Sequence, residues 1–118
     1  MSAMIAWEGD SKEVISSFPD SVRGNLGFYL RSLQEGHQPN NYRPMRSVGP
    51  GVFELRDQDE STWYRVIYLS RVQDVIHVLH CFEKRSRETP MKEIHTARRR
   101  LKEVRARIMR ERKHGERT

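Results

Sequence analysis

Two β-rich apolar runs, Tyr64-Arg65-Val66-Ile67-Tyr68-Leu69 and Val75-Ile76-His77-Val78-Leu79-His80-Cys81-Phe82, are separated by a short polar break and followed at once by the cations of Lys84-Arg85-Ser86-Arg87. Strands this close in sequence belong side by side in a sheet, and a link of a few residues makes such a pair antiparallel. The second run is apolar on both parities, which suits a central or well-covered strand. Upstream, Val52-Phe53-Glu54-Leu55-Arg56 alternates cleanly, with Phe53 and Leu55 on one side and Glu54 and Arg56 on the other. The acidic tract Asp57-Gln58-Asp59-Glu60-Ser61 reads as a hairpin tip, so the centre of the chain predicts a three-stranded antiparallel meander.

The flanks read as helices. Met4-Ile5-Ala6-Trp7 is a short opening strand, and Ser11 is the expected N-cap of a helix of about two turns carrying Val14, Ile15 and Phe18. Pro19 interrupts it, and Asp20 or Ser21 caps a second helix. In that helix Val22, Leu26, Tyr29, Leu30 and Leu33 recur at helical spacing until Gly36, a C-terminal stop. Residues 37–51, rich in proline, glycine and asparagine, read as a loop ending in the Pro50-Gly51 turn. After Thr89-Pro90, where proline fits a first helical turn, Ile94, Ala97, Leu101, Val104 and Ile108 form a narrow apolar stripe among Lys and Arg. Apolar content runs out near Met109, so a frayed basic tail is expected over about residues 109–118. The whole predicts one α+β domain spanning residues 1–118, with an N-terminal strand and helical hairpin packed on a small antiparallel meander sheet and a C-terminal basic helix.

A chain of 118 residues suffices for one modest core. Its net charge of +6 is local, because residues 84–118 hold 14 of the 22 Lys and Arg but only 5 of the 16 acids. Such a surface favours a polyanion, either a nucleic acid or an acidic protein partner. Cys81 is the only cysteine, which rules out an internal disulfide and the paired spacings of a zinc ribbon. No window reaches the roughly 18 apolar residues of a membrane helix, and the N-terminus has no signal-peptide pattern. A cytoplasmic protein with no membrane association is expected.

The order helix, helix, meander, helix, together with Glu54-Leu55-Arg56, Tyr64-Arg65-Val66-Ile67-Tyr68, Val78-Leu79-His80-Cys81-Phe82-Glu83-Lys84-Arg85, Thr89-Pro90, Glu93-Ile94 and Ala97, resembles the HigB-like, phage-associated branch of the RelE/ParE toxin superfamily over roughly residues 4–104. The resemblance implies a RelE-like fold and the toxin of a type II toxin–antitoxin pair. It further implies a metal-independent endoribonuclease that cuts mRNA on the ribosome, needs no cofactor, and is neutralised by a cognate antitoxin of helix-turn-helix type. ParE relatives share the fold but poison DNA gyrase, and a non-toxic basic nucleic-acid-binding module is the third alternative. By the same resemblance, Arg65 and Lys84 match positions where the superfamily's nucleases keep catalytic or phosphate-binding cations, with Arg56 and Arg46 at supporting basic positions.

The chemistry also stands without the family. Metal-free RNA cleavage turns a 2′-hydroxyl on its own phosphodiester, which requires cations around a phosphate-sized space and one group that moves a proton. Arg56 and Arg65 project from adjacent strands and Lys84 emerges at the end of the third. Arginine's planar fork donates two hydrogen bonds to a phosphate, and a lysine can lose its proton where burial and neighbouring cations lower its pKa. Arg85, Arg87 and Arg98 extend this basic surface as candidate RNA contacts. The plainer readings are a cross-strand ion pair of Arg65 with Glu54, a solvated Lys84-Arg85 pair and a wetted basic helix. His80 is either a proton carrier or a core histidine with a satisfied hydrogen bond. Strand parity puts His77 and His80 on opposite faces, so no metal site is expected from them. Cys81 reads as a small buried apolar residue. The polar end Lys113-His114-Gly115-Glu116-Arg117-Thr118 carries no tyrosine of the kind many RelE-type nucleases use, which leaves the general acid open.

Overall fold

The computed structural model describes residues 2–116. Along the chain come β1 (Met4–Trp7), α1 (Ser11–Ser16), α2 (Asp20–Gln34), β2 (Tyr42–Pro44), β3 (Val52–Gln58), β4 (Trp63–Val72), β5 (Val75–Lys84) and α3 (Met91–Glu116). The expected meander forms: β3 pairs antiparallel with β4, and β4 with β5. The β4–β5 link is two residues, Gln73 and Asp74, both at positive φ, the turn geometry whose twist matches that of the flanking strands. At the β3–β4 tip the Asp59 carboxylate accepts hydrogen bonds from the backbone N–H groups of Ser61 and Thr62.

Two strands enlarge this meander into a five-stranded sheet of order β1-β5-β4-β3-β2. Opening strand β1 runs parallel to β5, with Met4 opposite Val75 and Trp7 opposite Val78. Strand β2 lies inside the stretch read as loop and pairs antiparallel with β3. It is three residues long and ends in Pro44 on a sheet edge, where a missing N–H costs no ladder bond. So short a strand leaves no periodic signature.

Each face of the sheet carries its own core. Val22, Leu26 and Leu30 of α2, with Ile15 and Phe18, pack on Leu55, Val66, Tyr68, Val78 and Cys81. On the opposite face Ile94, Ala97, Leu101 and Val104 of α3 pack on Val52, Ile67, Leu69 and Leu79. Helix starts differ from expectation. The residue before α1 is Asp10, and Ser11 is buried, its hydroxyl donating to the Val78 carbonyl at 3.2 Å, so it ties the helix to the sheet. Pro19 precedes α2, with Asp20 in the first turn paired to Arg23. Gly36, at φ +89°, follows the end of α2 as expected.

The tail does not fray at residue 109: α3 remains helical through Glu116, although Met109 to Gly115 are all exposed. Glu103, Arg107 and Glu111 stand at successive i, i+4 positions, and both acids favour the charge on Arg107. Such pairs support a helix after its apolar stripe has ended. The last two residues of that expected tail, Arg117 and Thr118, lie outside the described residues.

Candidate active site

Helix α3 covers one end of its sheet face. It is fastened there by Arg98, whose Nε donates to the Ser47 carbonyl at 2.6 Å, and by Arg105, which donates to the Pro50 carbonyl. Past its apolar stripe, the same face carries polar side chains from four strands. Register sets them side by side: Arg43 opposite Glu54, Arg56 opposite Arg65, Arg65 opposite Phe82, and Trp63 opposite Lys84. Four cations therefore surround one carboxylate.

Arg65 and Lys84 are buried, at 7% and 8% exposure, and so is Glu54. The Arg65 Nε lies 3.8 Å from Glu54 Oε2, an ion pair too long for a hydrogen bond, and neither atom has a hydrogen-bond partner among the described residues. Arg65 makes one fixed bond, from NH1 to the Tyr64 carbonyl at 3.1 Å. Burial lowers the pKa of Arg65, and Arg56 and Arg43 add to that, while Glu54 opposes them. The Lys84 pKa is also lowered, by burial first and then by Arg65, with Arg56 and Arg43 contributing and Glu54 again opposing. A lysine under these pressures holds a larger neutral fraction than a surface lysine and is suited to accept a proton. Guanidinium groups with unmet donors are suited to receive phosphate oxygens.

Beside the cluster a cleft of about 420 Å³ opens between β3, β2 and α2. Arg43, Arg56 and Arg65 line one wall and Tyr29, Tyr42 and Trp63 contribute aromatic surface. The one acid in its lining, Asp57, accepts from Asn25 Nδ2 at 3.1 Å.

Sequence reasoning named Arg56, Arg65 and Lys84, and these the fold brings together. It missed Arg43, which lay in the presumed loop, and the place of Glu54 at the centre. Other named residues stand elsewhere. Arg46 is exposed in the turn between β2 and β3, Arg85 and Arg87 are exposed after β5, and Arg98 fastens α3 through Ser47. Arg85 borders a separate small cleft at the β3–β4 tip.

His80 does not join the cluster. It lies under α3, where its Nε2 meets Glu93 Oε1 at 3.1 Å and its Nδ1 meets Arg100 at 3.2 Å. Arginine can only donate, so the neutral tautomer with its proton on Nε2 satisfies both bonds. The Phe82 ring stacks on His80 at 5.3 Å, further along the strand toward Lys84. Contrary to the alternation expected of a regular strand, His77 and His80 share a face. Between Ile67 and Tyr68 the register on β5 jumps from His80 to Val78, a bulge at Leu79 that turns both His77 and His80 to the α3 face. They still take separate partners: His77 Nδ1 meets Glu8 Oε2 at 3.0 Å, and Arg107 donates to the other Glu8 oxygen at 2.8 Å. Among the described residues no three His, Cys, Asp or Glu side chains converge as a metal site would require. Cys81 is buried in the helical-hairpin core, and its thiol pKa is pushed up by that burial.

The element order, the sheet topology and the single basic helix over one face define a RelE-like α+β toxin fold. A mutant of the E. coli toxin RelE, solved in the free state, superposes with a TM-score of 0.58 at 15% identity, covering 82% of this chain and 94% of that one. At the sequence level no curated protein matches the chain. The family described as "Phage derived protein Gp49-like (DUF891)" matches residues 13–102, and the chain belongs to it and, through it, to the RelE/ParE toxin superfamily. Among the described residues no helix is long and apolar enough to cross a membrane.

Proposed function

We propose that the protein is a metal-independent endoribonuclease toxin of a type II toxin–antitoxin pair that cuts mRNA on the ribosome. The observation that carries this reading is the cluster itself: buried Lys84, its pKa lowered, beside Arg65, Arg56 and Arg43. In the reaction Lys84, in its neutral form, takes the proton of the 2′-hydroxyl. The 2′-oxygen attacks the adjacent phosphorus and the bond to the 5′-oxygen breaks, leaving a 2′,3′-cyclic phosphate and a 5′-hydroxyl. Arg65 and Arg56 bind the phosphate and stabilise the charge that grows on its oxygens in the transition state. Glu54 holds Arg65 in place from below the phosphate. No second group suited to give up a proton near neutral pH stands in the cluster among the described residues, so the departing 5′-oxygen takes its proton from solvent at the open mouth.

The exposed cations of α3, together with Arg46, Arg85 and Arg87, fit the phosphates of ribosomal RNA, an interaction that weakens as salt rises. A cognate antitoxin, of helix-turn-helix type, neutralises the toxin. The test is induction in a bacterial host with mapping of RNA 5′ ends, for the wild type and for Lys84→Ala. New ends at defined codon positions that vanish in the variant are expected; growth arrest with intact mRNA would overturn the reading.

A further inference from the structure

The cleft beside the cations does not end at β2. A second cleft, of about 330 Å³, shares Tyr29, Asn40 and Asn41 with it and continues along α2 to Phe28. Both volumes fall in the range of small-ligand clefts, roughly 300–1,000 Å³. The two form one groove with different ends. The first is cationic; the second has no acid in its lining and presents Phe28, Tyr29, His37 and side-chain amides. At the junction Asn41 Nδ2 donates to the Arg56 carbonyl, which fixes the loop after α2 to β3, while its Oδ1 has no partner among the described residues.

Phe28 is 59% exposed, and its ring meets Tyr29 edge-on at a centroid distance of 6.1 Å and 69°. It is not part of the helical-hairpin core, to which α2 contributes Val22, Leu26 and Leu30 with Tyr29 and Leu33 packed against them. We infer that this groove is a channel for single-stranded RNA, in which the nucleotide next to the clamped phosphate lies in the second cleft with its base stacked on Phe28. Charge complementarity selects the occupant. A polyanionic strand fits a path that begins among Arg43, Arg56 and Arg65, where three guanidinium groups outnumber the single carboxylate, Asp57, and continues into a second cleft with no acid in its lining. Flat uncharged bases fit aromatic faces and amides, and a duplex cannot present its bases to such a groove. The inference makes the loop at 37–41 and Phe28 determinants of which RNA sequence is cut. It rests on the nuclease reading for the cleavage step but not for binding.

The test therefore has two arms. In the first, a fluorescently labelled single-stranded 2′-O-methyl oligonucleotide, which lacks the free hydroxyl needed for cleavage, is titrated with the full chain, with Phe28→Ala and with Phe28→Tyr. The expected result is binding about tenfold weaker for Phe28→Ala, the scale of one lost stacking contact, rescue by Phe28→Tyr, and no comparable binding of a blunt duplex. In the second, RNA 5′ ends are mapped after induction. Phe28→Ala is expected to keep cutting but with an altered base preference beside the cut. Unchanged oligonucleotide affinity together with an unchanged cleavage profile would overturn the inference, and so would unchanged RNA binding with weakened binding of the antitoxin, which would make the groove a protein interface. If the wild type cuts nothing, the nuclease reading falls while the oligonucleotide arm still decides the groove.

Discussion

The two ends of the face that bears α3 both bury charged side chains, and they treat them in opposite ways. Under the helix, each charge is satisfied. Glu8 accepts from Arg107 and meets His77; His80 meets Glu93 and Arg100; Arg100 also donates to the Leu79 carbonyl and to Asp10. Gly9, at φ +55°, leaves room there for the Arg100 guanidinium, which a Cβ would strike. At the open end, cations outnumber the one carboxylate, and the central ion pair has a buried atom on each side without a hydrogen bond. Buried polar groups are ordinarily paired because leaving them unpaired costs about 1–3 kcal/mol each. Under the proposed function, the unpaired groups at the open end are the ones a phosphate would satisfy.

The sharpest way to break that contrast is at Lys84. We expect Lys84→Ala to reduce cleavage by at least about a hundredfold, the scale of one general base, while thermal stability stays level or rises. A large loss of melting temperature would mean the lysine holds the fold, and the contrast would collapse. Next comes Arg100→Met at the covered end, which strands the Leu79 carbonyl and His80 Nδ1. It is expected to cost about 2 kcal/mol, lowering Tm by about 8 °C in a thermal melt, with cleavage per folded molecule unchanged.

Acid titration compares the ends in a different way. Burial pushes the Glu8 pKa up, but the bonds and charges of Arg107 and His77 outweigh it and hold it below its ordinary value of 4.5. A carboxylate with a lowered folded-state pKa lends stability that is complete above the unfolded value and is lost as pH falls through the folded one. Denaturant titrations below pH 4.5 should therefore show Glu8→Gln losing less stability on acidification than the wild type. The smallest effect is expected from Arg43→Ala. Removing one like charge lets the Lys84 pKa rise, so the alkaline-rising limb of a cleavage pH profile should move to higher pH, with the fold intact; a shift to lower pH would argue against Lys84 as the base.

Much of the fold was legible because it is written in local pattern. The meander with its tight β4–β5 connection, the helical hairpin with its Gly36 stop and the apolar stripe of α3 follow from spacing that nearby residues carry. Short or exposed elements were not legible that way. Strand β2 is too brief to show a period, and the persistence of α3 beyond Met109 depends on charges on its surface. The site was half visible. Arg56 and Arg65 follow from strand alternation, and Lys84 from the end of the third strand. Arg43 was hidden because its strand looked like loop, and Glu54 was read only as the partner of Arg65 in a cross-strand ion pair.

What the sequence by itself determined is the order of every element but β2, the α+β class and a group of cations near Arg65 and Lys84. The tertiary structure decided the rest. A single bulge at Leu79 reversed the parity of His77 and turned both histidines under α3, where His80 bonds to Glu93 and Arg100 instead of joining the Arg65–Lys84 cluster. Pairing of β2 with β3 brought Arg43 beside Glu54, and burial at the sheet's open end lowered the Lys84 pKa. The physical reason is range. Periodicity reports which face a residue shares with its covalent neighbours, whereas the charge and burial that set a side chain's reactivity come from strands and helices many residues away, whose register only the folded chain fixes.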